Sequence, residues 1–204
     1  LNLRLEGSRL TLESGGNLSL ADDNQWQLMG SATLFAGSSV HLSGHNSIGD
    51  ELIITGKTVK LAGEQLAQNA FVVNAQDRLQ GTGKLISINK NIRMQAPSIE
   101  LRSIIDAGKS VVLESKADSV LDGEFYARGG RLDVKSEGNA LLSGKFFGKD
   151  GIGVRSNRCN LESKQADFIS EGAVALRSHK TLSVDGKIQS NADVELKSKE
   201  NLDL

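Results

Sequence analysis

The sequence predicts an all-β fold, a right-handed parallel β-helix (solenoid) of about ten three-strand coils. Three observations predict it. One short phrase, two apolar residues one apart followed by a small residue, returns every 19 to 22 residues from end to end. The alternation inside the phrase has period two, the mark of a strand. Between the copies run two further apolar columns, so each period holds three short strands. A fixed period of about twenty residues is too short for a helix pair and is typical of stacked coils.

The phrases, in chain order, begin Leu10-x-Leu12-x-Ser14, Ala32-x-Leu34-x-Ala36, Leu52-x-Ile54-x-Gly56, Phe71-x-Val73-x-Ala75 and Ile92-x-Met94-x-Ala96. They continue Val111-x-Leu113-x-Ser115, Leu132-x-Val134-x-Ser136, Ile152-x-Val154-x-Ser156, Val174-x-Leu176-x-Ser178 and Val194-x-Leu196-x-Ser198. The third position is always Ser, Ala or Gly, as expected of a corner stacked on the same corner of the next coil. The second column reads Leu18/Leu20, Val40/Leu42, Val59/Leu61, Leu79, Ile99/Leu101, Val120, Leu141, Cys159/Leu161, Leu182/Val184 and Leu202/Leu204. The third reads Trp26, Ile48, Leu66, Leu85, Ile105, Phe125, Phe146, Phe168 and Ile188. Tight polar turns are expected between the three strands. Right-handed winding follows from the strong preference of parallel crossovers. The one proline, Pro97, falls between two strands, where it removes no ladder hydrogen bond. The second and third columns slip phase near 43–50 and 81–91.

The 204 residues carry 24 Lys and Arg against 25 Asp and Glu, a net charge of −1. That balance gives no general attraction to nucleic acid or to an anionic membrane, and no nucleic-acid partner is expected. The lone Cys159 has no internal disulfide partner. Without a linker, residues 1–204 read as one solenoid. Both ends stand in mid-strand alternation, so the expectation is a segment of a longer filament.

Two stretches carry a family resemblance. Leu10-Thr11-Leu12-Glu13-Ser14-Gly15-Gly16-Asn17-Leu18-Ser19-Leu20 and Val174-Ala175-Leu176-Arg177-Ser178-His179-Lys180-Thr181-Leu182-Ser183-Val184-Asp185-Gly186 resemble the repeats of filamentous haemagglutinins, the two-partner secretion exoproteins of Gram-negative bacteria. The family includes adhesins and contact-dependent growth inhibition effectors. The resemblance spans the chain and implies a β-helical filament that is secreted or held at the cell surface. It implies export through an outer-membrane partner barrel. The segment then reads as structural stalk, with a receptor- or glycan-binding lateral face as the alternative and a carbohydrate-active enzyme as a distant third.

Candidate chemistry is sparse. Gly108-Lys109-Ser110 and Gly56-Lys57-Thr58 imitate the end of a phosphate loop, but the glycine required five residues earlier is Ser103 or Glu51; both pieces read as turns. His41 and His45 would share a helix face; on a strand followed by Ser43-Gly44 they do not, and no metal is expected. His179 reads as a turn residue. Asn17-Leu18-Ser19 fits a glycosylation acceptor but sits in strand. Asp22-Asp23 and Asp106 have no phased partner for acid–base work. Trp26 is phased inward, whereas Tyr126 and Phe147 are the aromatics expected to point outward. No catalytic residue and no cofactor are assigned, and the chain is not expected to be an enzyme.

One outward column stands apart. The residue before each small corner is Glu13, Phe35, Thr55, Asn74, Gln95 and Glu114, then Lys135, Arg155, Arg177 and Lys197. Four cations on consecutive coils would lie about 4.8 Å apart. Like charges facing each other cost stability unless neighbours offset them. Lys135, Arg155, Arg177 and Lys197 are therefore the candidate anion-binding residues, with Asp133, Glu162 and Glu195 as the carboxylates expected to neutralise them.

Overall fold

The computed structural model describes residues 2–5, 8–20 and 25–204, and these contain strands and turns but no helix. The strands stack in parallel along three faces, giving a three-faced β-helix of about ten coils. With strand spacing of about 4.8 Å, ten coils make a rod about 45 Å long.

The first face is the recurring phrase. Leu10, Ala32, Leu52, Phe71, Ile92, Val111, Leu132, Ile152, Val174 and Val194 pair in unbroken Cα register. From Ala32 to Val174 each is at most 1% exposed. Burying each of the larger side chains stabilises the coil by about 1.5–3 kcal/mol. The small position that ends the phrase turns inward too and is buried from Ala36 to Ser178. Its serines also satisfy the adjoining turns: the Oγ of Ser136, Ser156 and Ser178 donates to the carbonyls of Ala117, Gly138 and Cys159 at 2.6, 2.7 and 2.8 Å. A hydroxyl here is both small enough for the corner and able to pair a buried carbonyl.

The second face departs from the expected phase. Ile99 and Leu101 pair with Ser119 and Leu121, which pair with Ala140 and Leu142, then Leu161 and Ser163. Leu121, Leu142 and Leu161 are fully buried, whereas Val120 and Leu141 point outward and are half-buried. Cys159 is half-buried in the turn before the strand Leu161–Ser170. Val120-Leu121 and Leu141-Leu142 are adjacent apolar pairs, so alternation alone does not say which member faces in. A one-residue shift exchanges the faces, and the small inward Ser119 and Ala140 set it.

The third face also differs, in two coils. Its inward column runs Trp26, Asn46, Gln65, Leu85, Ile105, Phe125, Phe146, Phe168 and Ile188. Leu66 faces outward in place of Gln65, and Ile48 belongs to the adjacent inward column with Leu28 and Ala67. Gln65 is tolerated inside because its amide is paired. Asn46 Nδ2 donates to Gln65 Oε1 at 2.8 Å and to the Ser43 carbonyl at 3.0 Å; Gln65 Nε2 donates to the Ala62 carbonyl at 2.7 Å. The expected slip near 43–50 is thus the polar layer of the core. Near 81–91 there is no slip: Phe71–Ser87 is one strand crossing all three faces.

That strand illustrates a second difference. A polar turn was expected between the second and third faces, but there the chain bends inside continuous strands such as Ser98–Ala107 and Ala140–Gly148. The bend is a glycine ladder. Gly44, Gly63, Gly83, Gly123, Gly144 and Gly186 take positive φ at this corner. At Gly144 (φ +97°) a Cβ would stand 2.0 Å from the Gly123 carbonyl oxygen one coil below. Pro97 lies at the bend between Ile92–Ala96 and Ser98–Ala107, as expected.

Candidate basic face

The first face places the cation column in the order read from the sequence. Glu114 pairs in register with Lys135, Lys135 with Arg155, Arg155 with Arg177 and Arg177 with Lys197. Each follows an inward residue, so period two sends it outward.

The offsetting carboxylates are only partly those expected. Glu195 grips Arg177 through both Nε and Nη2. Asp133 instead reaches Arg131 at 3.5 Å, and Glu162 lies 3.9 Å from Lys164. Lys135 is met by Glu137 at 3.5 Å, two residues on along its own chain. Sequence spacing does not single out that contact, because Asp133 also stands two residues from Lys135 yet pairs with Arg131. Among the described residues, no carboxylate lies within ion-pair distance of Arg155 or Lys197.

The Arg177 guanidinium holds the Glu195 carboxyl below its ordinary pKa. Glu137 is lowered first by the hydrogen bond from Asn157 Nδ2, then by Lys135 and Arg158. Asp50, Glu100 and Glu124 are lowered likewise, chiefly by hydrogen bonds from Asn69, Gln80 and Tyr126. A lowered folded-state pKa contributes stability that is present above the unfolded value and lost as pH falls through the folded one. The rod is therefore expected to hold its urea midpoint from neutral pH down to about pH 4.5 and to lose stability below it. Urea titrations at pH 7, 5 and 3 check this; an undiminished midpoint at pH 3 contradicts it.

Two shallow depressions adjoin the column. Gly153 and Ala175 floor one of about 220 Å³, flanked by Arg131, Lys135, Arg155 and Arg177 and by the carboxylate of Asp133. The second, about 440 Å³, lies on the other side of Arg155 and Arg177 and reaches Asn157, His179, Glu195, Lys197 and Lys199.

The remaining candidates are dispersed. His41 and His45 lie on separate strands, Ser39–Leu42 and His45–Ile48, on either side of Gly44. Among the described residues no His, Cys, Asp and Glu side chains cluster as a metal site. Gly108-Lys109-Ser110 forms a turn, but Gly56-Lys57-Thr58 runs within the strand Leu52–Leu61 rather than a turn. His179 follows the strand Ala173–Ser178 in a bend, and Leu18 packs against the core. Asp106 is held by both Nε and Nη2 of Arg128 at 2.6 Å. Asp22 and Asp23 lie outside the described residues. Trp26 is buried inside the coil. Tyr126 and Phe147 do face outward, half-buried with ring centroids 6.5 Å apart, and the Tyr126 hydroxyl donates to Glu124 at 2.7 Å.

No family model, curated protein or solved structure matches the chain.

Proposed function

We propose that the chain is a stalk segment of an exported bacterial surface protein, a stiff spacer that holds contact-making regions away from the cell. The observation that carries this reading is the first face, whose ten strands keep register without an irregularity. Each coil is hydrogen-bonded to its neighbours along all three faces, which resists bending. Among the described residues the turns are short and near-constant in length, and no long loop hangs from a corner as binding loops commonly do. The resemblance of the repeats to filamentous haemagglutinins supports secretion or display at a Gram-negative cell surface, with an outer-membrane barrel as export partner. It also supports a role in adhesion or contact-dependent inhibition.

Excising residues 92–131 from the surface-displayed protein tests the stalk role. The cut removes two whole coils and joins Asn91 to Leu132, which occupies the register position of Ile92. Reach shortens by about 10 Å. A stalk tolerates this: display on intact cells, detected by antibody, and cell–cell contact persist. Loss of contact while display persists overturns the reading.

A lateral binding surface is the second reading, favoured by the cation column, two of whose members lack a carboxylate partner among the described residues.

A further inference from the structure

We infer that the first face, from Arg131 to Lys199, is a docking strip for a linear polysaccharide bearing sulfate or phosphate groups. The inference deepens the lateral-surface reading and does not depend on the stalk role.

The placement of charge is the first reason. The chain as a whole is at −1, yet the outward column changes from neutral and acidic residues to four consecutive cations at Lys135. Facing like charges cost stability, and a ligand charge placed between them removes that cost. The pairing pattern is the second reason. Glu137 and Glu195 hold Lys135 and Arg177, while Arg155 between them has no ion-pair partner among the described residues. An arginine without a carboxylate presents its planar fork to a tetrahedral oxyanion, the geometry in which it binds sulfate or phosphate through two hydrogen bonds.

Shape is the third reason. Beside the column, Asp133 and Glu195 are separated by Gly153 and Ala175 on the intervening coils. These leave the 220 Å³ depression open beside the cations with Asp133 as its one carboxylate, and on the other side Asn157, His179, Lys197 and Lys199, with Glu195, continue the polar surface. The strip therefore runs along the rod axis with at least one positive group per coil, the column cations standing about 4.8 Å apart. That suits a long flexible polyanion better than a single small ion. A single-stranded nucleic acid is the other linear polyanion, but its binding relies on aromatic platforms for the bases. No Phe, Tyr or Trp lines either depression.

The test measures binding of the intact 204-residue chain to a heparin-derived oligosaccharide, a phosphomannan and an oligothymidylate, in low salt and at 150 mM. The chain is expected to bind the sulfated or the phosphorylated glycan, whichever source applies, more tightly than the oligothymidylate. Arg155→Glu is expected to weaken that binding by about tenfold or more, because it reverses the central charge. The variant should fold, since a carboxylate there sits between Lys135 and Arg177; an undiminished urea midpoint checks this. Lys60→Glu, an equal charge change on the second face, serves as control and leaves binding unchanged. The proposal is overturned if neither glycan binds, if oligothymidylate binds as tightly, or if Lys60→Glu weakens binding as much as Arg155→Glu.

Discussion

Replacing Phe146 with alanine is expected to destabilise the rod by about 3–5 kcal/mol, the usual cost of removing a fully buried aromatic ring and leaving a cavity. Phe146 is fully buried between Phe125 and Phe168, with ring centroids at 5.0 and 5.2 Å. The Phe125 and Phe146 rings are parallel to within 1°. Each ring contact adds about 0.5–1.5 kcal/mol beyond simple burial. Coils contact only their neighbours, so the loss should be local. Hydrogen exchange should accelerate between residues 119 and 190 while the coils spanning 32–75 keep their protection. Phe146→Leu, which keeps much of the volume, should cost clearly less. A midpoint in urea unchanged by Phe146→Ala would show that the aromatic stack is not a main contributor to the core.

Gly144→Ala is expected to be nearly as damaging although it adds one methyl group. The backbone there is left-handed (φ +97°), and the new Cβ would meet the carbonyl oxygen of Gly123 at 2.0 Å. That oxygen cannot yield easily, because Gly123 is held in ladder register with both Ser103 and Gly144. Backbone strain alone amounts to about 1–3 kcal/mol at such a position, and the overlap adds to it. Gly16→Ala is the control, since nothing lies within 4 Å of a Cβ there. The two urea midpoints should separate clearly; equal midpoints would mean that the bend relaxes freely.

This corner was hidden in the sequence for a physical reason. The small residues that end each phrase advertise a corner at constant phase, and the structure buries them from Ala36 to Ser178. Glycines at 44, 63, 83, 123, 144 and 186 recur with the same period, but Ser103 and Ala166 interrupt them. Their meaning rests on an approach between backbones of different coils, which local patterning does not express.

The basic face divides in the same way. That Lys135, Arg155, Arg177 and Lys197 form one column follows from period-two alternation and a constant coil length. Which carboxylate meets which cation does not. Glu162 turns to Lys164, Asp133 to Arg131, and Glu137 reaches Lys135. Those choices depend on side-chain reach across and along the strands, at separations of a few ångströms.

By itself, then, the sequence determined the all-β fold, the period, the three strands per coil and the full register of the first face. It could do so because one side of the strands from Gln25 to Ser178 is buried, and a buried side imposes its alternation on neighbouring residues. Only the tertiary structure decided that Leu121 and Leu142 turn inward rather than Val120 and Leu141, and that Gln65 enters the core in place of Leu66. In the first case adjacent residues are equally apolar, and the stacked Ser119 and Ala140 settle the phase. In the second, an amide is admitted because Asn46 and the carbonyls of Ala62 and Gly44 meet it, partners that exist only once the coils are stacked.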